Sequence, residues 1–589
     1  MEKRYAKAVF RFVRENWHWL AVGLVLFVAA WPFMVAGNLI LANDLQGDAL
    51  STPWIYDFTA REFAEGRWVS ALTDFDYPNP RGMDPHERSL FATTPPMDAV
   101  LMAPAALFFD WPVQWNMVLL GGLLINSAGV IWLSYELGCR GIGLVVAAVM
   151  SVSIGPIWIE ALEGRTNCFF PGLTLMGLAG LLRSLPAGLE SSFKKRLLWT
   201  LIAGLLGWWS FVIYPPGLAL WIPIGIVLAG RHVVMRRGQG VKELVLPIAV
   251  IGVAYVLSLP FIWEMQRSGW VLQEFGHEEC PPVGRTLALN ELVKSNVGEA
   301  FRGFSFGFWL LAPFAMLDRT RRRMYAAFFV WATLLVFLSL GSCPIAERAN
   351  GLQADNALWS WPLIGDTVWW AISYFHYYDR LAAAGCLLLS VLAAVGAEQL
   401  WEKRSRRTQI PALALIVYAS VQVFSLHANT LEDPSNWQRV PKEPIADFLR
   451  TAKSGAVVEL PYDQRHQYLT VLEHPGHPRV NTLRPKSRYA RIKSPPNQED
   501  RVWRWFDRLS LGKVHDFPPT RQEIAEAGVR WIFFEPTRCD EVHSSFQAYQ
   551  WARACSDDVL RELESTLGRG RALGPVEQGR FVWEIAGAE

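Results

Sequence analysis

Residues 18–48 read HWLAVGLVLFVAAWPFMVAGNLILANDLQGD. The first part, 18–42, is mostly apolar, and a helix needs about 20 such residues to cross a membrane. Carboxylates follow directly, at Asp44 and Asp48. This stretch therefore predicts a membrane span that ends in an acidic loop, and it sets the fold class.

Ten more apolar stretches follow along the chain. They cover 112–135, 141–157, 168–184, 197–213, 215–230, 244–264, 304–317, 324–342, 381–400 and 410–427. We predict a mostly α, polytopic transmembrane bundle of about 11 spans. Only 19% of the 589 residues are charged, below the roughly 25% of soluble domains, yet the mean hydropathy of +0.17 is too low for membrane alone. A net charge of +2 gives no case for nucleic acid as a partner, which would call for a strongly basic domain.

Lysine and arginine predict the orientation of these spans, because basic residues concentrate in cytoplasmic loops. Basic clusters such as Lys194-Lys195-Arg196 and Arg321-Arg322-Arg323 fall in loops that are inside if the N-terminus is cytoplasmic. The longer loops 43–96, 158–167, 265–303 and 343–380 would then be exterior. We expect a protein of the bacterial inner membrane with a cytoplasmic N-terminus and an exterior, periplasmic C-terminus.

The predicted domains are 1–427, a transmembrane domain that includes the first loop 43–96, and 428–589, an exterior α/β domain. Within the latter, Ala456–Leu460, Val529–Phe534 and Phe581–Ile585 have the composition of strands. Helical spacing predicts helices at 441–453, 498–511, 520–527 and 547–567. Cys280, Cys343, Cys539 and Cys555 are predicted to be exterior, where disulfides persist, and we expect at least one bridge among them.

The first loop, 43–96, carries acidic side chains that could act in catalysis, whereas the predicted spans are mostly apolar. A carboxylate fixed at the end of a rigid span can act as a general base on a hydroxyl. With a second carboxylate it can bind a divalent cation. From composition alone, a solvated acidic loop is the alternative.

The loop and several short motifs resemble the GT-C superfamily of membrane glycosyltransferases, in particular a bacterial branch. Gly47-Asp48 followed by Trp54 is similar to the Gly-Asp…Trp pattern of that branch, and Tyr77-Pro78-Asn79-Pro80-Arg81-Gly82 loosely matches its Tyr-Pro-Asn-Gly-like stretch. Gly164-Arg165-Thr166-Asn167 stands where the branch has a Gly-His-Asn-like stretch, with arginine in place of histidine. The junction Tyr374–Arg380 and the stretches 458–461 and 528–534 are also similar.

The resemblance implies that Asp48 is the catalytic carboxylate, with Asp44 as the alternative or as a second carboxylate. Both could instead cap the following helix. Arg165 could hold a lipid phosphate or form a salt bridge with Glu163, which we include among the substrate-binding candidates. His86, Glu87 and Arg88 could contact the donor head group or be ordinary loop polarity. His376, Tyr377 and Arg380 could bind the sugar and the phosphate, or they could belong to an interfacial aromatic belt.

The function that the resemblance implies is an inverting glycosyltransferase in the lipid bilayer. Its donor would be a polyprenyl-phosphate-linked sugar and its acceptor a glycan, a lipid or a protein. No cofactor is required, because phosphate is a competent leaving group, although a divalent cation is compatible with two carboxylates. A non-catalytic envelope-assembly scaffold and a lipid-sugar flippase are the alternatives.

Overall fold

The computed structural model describes part of the chain. The described residues are 2–37, 39–42, 52–53, 56, 104–105, 107–162, 164, 171–185, 192–213, 217–236, 238–267, 306–339, 379–402, 406–439, 445–449, 451–453, 456–460, 501–509, 518–526, 529–536, 557–573 and 580–585. The chain forms two compact units. The first comprises Met1–Asp44, Pro112–Trp263 and Val271–Arg439, and the second comprises Leu45–Trp111, Glu264–Trp270 and Val440–Glu589.

The first unit is a bundle of apolar helices. In chain order they are α1 Glu2–Val35, α2 Trp111–Glu136, α3 Ile142–Ser151, α4 Gly155–Leu162, α5 Gly172–Ser184, α6 Phe193–Ile213, α7 Leu218–Arg236, α8 Gly238–Arg267, α9 Phe306–Leu311, α10 Arg322–Leu338, α11 Asp379–Glu402 and α12 Arg406–Glu432. Within the described part, five helices are long and apolar enough to cross a membrane: Glu15–Val35, Trp111–Glu136, Gln239–Leu257, Leu381–Glu402 and Gln409–Glu432.

The predicted spans coincide with helices, with three corrections. The span 18–42 ends early, because α1 stops at Val35 and Gly37, at φ +58°, turns the chain into a short strand. The span 141–157 is two helices, since the chain leaves helical geometry between Ser151 and Gly155. Stretch 304–317 is α9 followed by a 3₁₀ segment, Ala312–Leu317. Together these two segments of 304–317 have a length of about 20 Å, which is shorter than the roughly 30 Å hydrocarbon core.

Helix α11 is the centre of the bundle, and its apolar part is completely buried. It packs against α3, α4, α7, α9, α10 and α12. Glycines allow this close packing: a Cβ on Gly385 would lie 2.8 Å from Val336 Cγ2, and one on Gly396 would overlap the Leu311 carbonyl oxygen. Small residues at helix crossings are how membrane helices gain van der Waals contact.

The described part of the second unit contains a mixed four-stranded sheet. Its strands are β3 Ala456–Leu460, β4 Val529–Phe534, β5 Arg571–Ala572 and β6 Phe581–Glu584, in the order β3-β4-β6-β5. Strands β3 and β4 are parallel, and β6 is antiparallel to β4 and to β5. The helices of this unit are α13 Ala446–Leu449, α14 Arg501–Leu509, α15 Arg521–Glu526 and α16 Asp557–Leu567.

Alternation along the strands divides the core of the second unit into two layers. Val458, Ile532 and Phe534 belong to the layer that contains Trp505 and Leu563, from α14 and α16. The neighbours Val457, Trp531 and Phe533 belong to the layer with Ile445 and Leu449. Successive side chains of a strand point to opposite faces of the sheet, so one layer covers each face. The expected strands are confirmed, and each of the four predicted helical stretches contains a helix in the part that the structure describes.

Candidate active site

A two-stranded ribbon lies where α1 leads into the first loop. Strand β1, Leu39–Leu41, pairs antiparallel with β2, Trp437–Arg439, which follows α12. Leu39 faces Arg439 and Leu41 faces Trp437. The pairing continues one residue further, since the Ala42 N–H donates to the Asn436 carbonyl at 2.9 Å. The ribbon therefore fixes the backbone up to two residues before Asp44.

Two neighbouring side chains at the start of α2 hold the other edge of β1. The Asn116 amide donates from Nδ2 to the Leu39 carbonyl at 2.7 Å, and its Oδ1 accepts the Leu41 N–H at 3.4 Å. The Trp115 indole N–H donates to the Leu41 carbonyl at 3.1 Å. Both side chains are buried. We call this set of three hydrogen bonds the α2 clamp.

A buried aromatic cluster lies beside the ribbon and joins four elements of the bundle. The Phe33 and Trp158 rings of α1 and α4 are nearly parallel, with centroids 6.1 Å apart. The Trp158 ring contacts His427 of α12 at 5.2 Å, and Phe33 contacts Trp437 of β2 at 6.0 Å. This packing fixes the end of α4, which leads into the predicted loop at 158–167.

The opposite end of the bundle is defined by Glu398, near the end of α11. Its buried carboxylate accepts N–H groups from Arg140, Gly141 and Gly143 at 3.0, 2.9 and 2.7 Å. Arg140 and Gly141 lie between α2 and α3, and Gly143 lies in the first turn of α3. The end of α2, the start of α3 and the end of α11 therefore share one end of the bundle. A helix the length of α11 extends about 36 Å, which puts its first residue, Asp379, at the ribbon end.

Three of the predicted loops are therefore flanked by described residues at the ribbon end, namely Ala42, Leu162 and Asp379. The first follows Ala42 and contains Asp44, Asp48 and the His86-Glu87-Arg88 triplet. The second follows Leu162 at the end of α4 and contains Glu163 and Arg165. The third precedes α11 and contains His376 and Tyr377, while Arg380 lies in the first turn of α11.

The predicted site side chains themselves lie outside the described residues. This applies to Asp44, Asp48, His86, Glu87, Arg88, Glu163, Arg165, His376 and Tyr377, and for Arg380 only the helical backbone is described. Their roles remain predictions. The four cysteines expected to be exterior also lie outside the described part, whereas Cys139 and Cys386 are buried free thiols.

Helix α2 also fixes the start of α5, the helix that follows the second predicted loop. The Gly172 N–H at the start of α5 donates to Asn126 Oδ1 at 2.7 Å. Glycine is required there, since a Cβ on Gly172 would lie 2.7 Å from the Asn126 backbone nitrogen. Asn126 is ten residues beyond Asn116, so α5 begins about 15 Å further along α2 from the ribbon.

Several side chains at the ribbon end were not predicted from the sequence. They are Trp115, Asn116, Trp158, Glu160 and His427, all buried. A single local signal existed, the adjacent Trp115 and Asn116 at the start of an otherwise apolar stretch. Among the described residues, no three His, Cys, Asp or Glu side chains are placed to hold a metal ion.

The bundle and the loop segments at its ribbon end define a polytopic helical membrane protein. No protein-family model and no curated protein matches the sequence. The fold is similar to that of ArnT from Cupriavidus metallidurans in the apo state, with a TM-score of 0.50 and 14% identity over 96% of this chain and 98% of that one.

A second similarity is to the archaeal oligosaccharyltransferase AglB from Archaeoglobus fulgidus, in complex with an inhibitory peptide and a dolichol-phosphate. Its TM-score is 0.50, with 10% identity over 94% of this chain and 72% of that one. The apo form of the Archaeoglobus fulgidus oligosaccharyltransferase gives 0.51, with 11% identity over 93% and 72%. ArnT and AglB are GT-C glycosyltransferases, and this chain is similar to them in fold.

Proposed function

We propose that this protein is a membrane glycosyltransferase that takes a sugar from a polyprenyl-phosphate-linked donor. The observation that carries the proposal is the common origin of the three candidate loops at the ribbon end of a GT-C bundle. The AglB structure contains a dolichol-phosphate, which supports a donor of the same chemical class. The sugar and the acceptor, whether glycan, lipid or protein, are left open.

The proposed reaction is a single displacement. An acceptor hydroxyl oxygen attacks the anomeric carbon, the bond from that carbon to the phosphate oxygen breaks, and the polyprenyl phosphate leaves with the electron pair. Asp48 takes the hydroxyl proton, with Asp44 as the alternative base. A single attack inverts the anomeric configuration. Arg165 would pair with the phosphate charge as it develops.

The proposed orientation places the ribbon end at the outer face, with the N-terminus in the cytoplasm and residues 428–589 outside. The charge bias of the loops supports it, because lysine and arginine favour cytoplasmic segments. A reporter that is active only in the cytoplasm, fused after Glu589, should stay inactive. An active reporter would place the C-terminus in the cytoplasm and contradict the odd number of spans.

The transfer test uses membrane vesicles that contain the full chain and a panel of polyprenyl phosphates carrying ¹⁴C-labelled sugars. Label should move from the donor lipid to an acceptor. Asp48→Asn should lower the rate by about 10²–10⁴-fold, as expected for loss of a general base. Asp57→Asn, in the same loop, is the control and should retain activity.

Three results would contradict the proposal. Wild-type vesicles that transfer no sugar, while the cell still needs the protein, would indicate a scaffold. Movement of labelled lipid-sugar across the membrane without transfer would indicate a flippase. Full activity of both Asp48→Asn and Asp44→Asn would exclude each of these two carboxylates as the required base.

A further inference from the structure

The α2 clamp holds a strand that is too short to be stable alone. Strand β1 has three residues, and even a complete two-stranded hairpin is marginal in water. The polar groups of Leu39 and Leu41 point toward α2, where Asn116 and Trp115 bind them. Because backbone polar groups alternate in direction along a strand, those of Ile40 and Ala42 point toward β2. Both edges of β1 are therefore hydrogen-bonded.

The Asn116 side chain uses both ends of its amide in this contact. Its donor and its acceptor bind backbone groups two residues apart, so the amide fixes both the position and the twist of β1. Reversing the amide would place oxygen against the Leu39 carbonyl, and this excludes the other orientation. Loss of either hydrogen-bond partner would leave a buried polar group unsatisfied, which costs free energy.

The clamp constrains the first-loop carboxylates through the length of chain that separates them from Ala42. Two residues lead from Ala42 to Asp44, which is at most about 7 Å of extended chain. Six residues lead to Asp48, at most about 21 Å. The position of Asp44 therefore depends most directly on the clamp, and Asp48 depends on it through Asp44.

We propose that Asn116 is a positioning residue for the transfer reaction, acting through β1 on the carboxylates at the start of the first loop. The inference rests on the proposed function. Asn116 touches no reacting atom in this role. It sets where the loop begins, and a displacement of about 1 Å in a reacting group can lower a rate about 10²-fold.

The first test replaces Asn116 by leucine, which is similar in size and cannot hydrogen-bond. We expect kcat for transfer from the labelled polyprenyl-phosphate sugar to fall by about 10²-fold, with KM within about twofold of wild type. Hydrogen exchange of a peptide covering residues 39–42 should become at least about tenfold faster. Exchange near Leu311 should not change.

A rescue variant separates positioning from a general loss of stability. Leu39 and Arg439 are exposed and face each other across the ribbon, at a spacing that a disulfide can bridge. In L39C/R439C/N116L, oxidation should restore kcat at least tenfold, and reduction should remove the gain. L39C/R439C alone should behave as wild type in both states.

A matched control is Glu398→Gln, which removes a buried hydrogen-bonded carboxylate at the opposite end of α2. It should lower thermal stability and leave kcat unchanged. If N116L keeps wild-type kcat, or if the bridged variant stays slow although the ribbon peptide is protected again, the proposal fails. Absence of transfer by the wild type would instead refute the proposed function.

Discussion

The Glu398 carboxylate and the Gly143 backbone form one contact that tolerates no side chain between them. Glu398 Oε2 accepts the Gly143 N–H at 2.7 Å, and a Cβ on Gly143 would lie 2.9 Å from the same oxygen. It would also lie 2.6 Å from the Ala394 carbonyl oxygen. A carboxylate that binds N–H groups at the start of a helix satisfies donors that have no partner within the helix.

Glu398→Gln should therefore destabilise the full chain by about 1–3 kcal/mol, because an amide weakens three hydrogen bonds that a carboxylate strengthens. Thermal unfolding in detergent, followed by tryptophan fluorescence, measures the change. Glu15→Gln, at an exposed position of α1, is the control and should leave the transition within error of wild type. Equal midpoints for both variants would show that the Glu398 cap contributes nothing.

Gly396→Ala should be strongly destabilising, by about 1–3 kcal/mol or more, because its Cβ would overlap the Leu311 carbonyl oxygen. Gly252→Ala is the matched control, since its Cβ would meet no atom within 4 Å. Alanine is the better helix former, so Gly252→Ala should be neutral or stabilising by up to about 1 kcal/mol. The comparison is again made by thermal unfolding, and an unaffected Gly396→Ala would contradict the packing around α11.

His427→Phe should leave the unfolding midpoint unchanged or raise it. The carbonyls of Ala29 and Val152 lie beside the His427 ring, but neither ring nitrogen meets hydrogen-bond geometry. An apolar ring of similar shape keeps the contact with Trp158 and removes buried polar atoms. His427→Lys, which buries a charge, should be clearly destabilising. A large loss of stability in His427→Phe would mean that the imidazole is hydrogen-bonded after all.

Acid should weaken the start of α15 in the second unit. The Thr520 N–H and hydroxyl donate to Glu523 Oε2 at 2.6 and 2.9 Å, and the Glu523 N–H donates to Thr520 Oγ1 at 3.2 Å. These contacts, the Thr520 backbone N–H first, lower the pKa of Glu523. The stabilisation is therefore complete above about pH 4.3, the unfolded value, and is lost as pH falls through the lower folded pKa.

Hydrogen exchange of the peptide covering 521–526 in the full chain measures this effect. Protection should decrease below about pH 4 in wild type, after correction for the intrinsic exchange rate. Glu523→Gln should show reduced protection near neutral pH and little further acid dependence. Glu526→Gln, at the other end of the helix, should follow the wild-type profile. A wild-type profile in Glu523→Gln would exclude the carboxylate as its source.

Local sequence patterns predicted α2 well, since its apolar stretch is long and the expected bounds 112–135 differ from Trp111–Glu136 by one residue at each end. The same reasoning failed at the end of α1. Leu39, Ile40 and Leu41 are as compatible with a strand as with a helix, and their partners are distant in sequence. Gly37 was the available local signal for the end of the helix.

The candidate site was only partly accessible to sequence reasoning for the same reason. A carboxylate after a span can be read locally, and Asp44 and Asp48 were. The role of Asn116 depends on backbone groups more than seventy residues away, and the environment of His427 depends on α1, α3 and α4. The local periodicity of apolar residues does not predict contacts between residues so far apart in the sequence.

The ribbon also has a consequence for biogenesis. Strand β1 is synthesised early, but its partner β2 follows α12, so the pairing of Leu39 with Arg439 must wait until most of the chain has left the ribosome. Until then the edge of β1 that faces β2 is unpaired, and the α2 clamp is on the other edge. A chain truncated before Trp437 would insert its helices and still lack the completed anchor of its first loop. The ribbon can therefore form only after α12 has been synthesised.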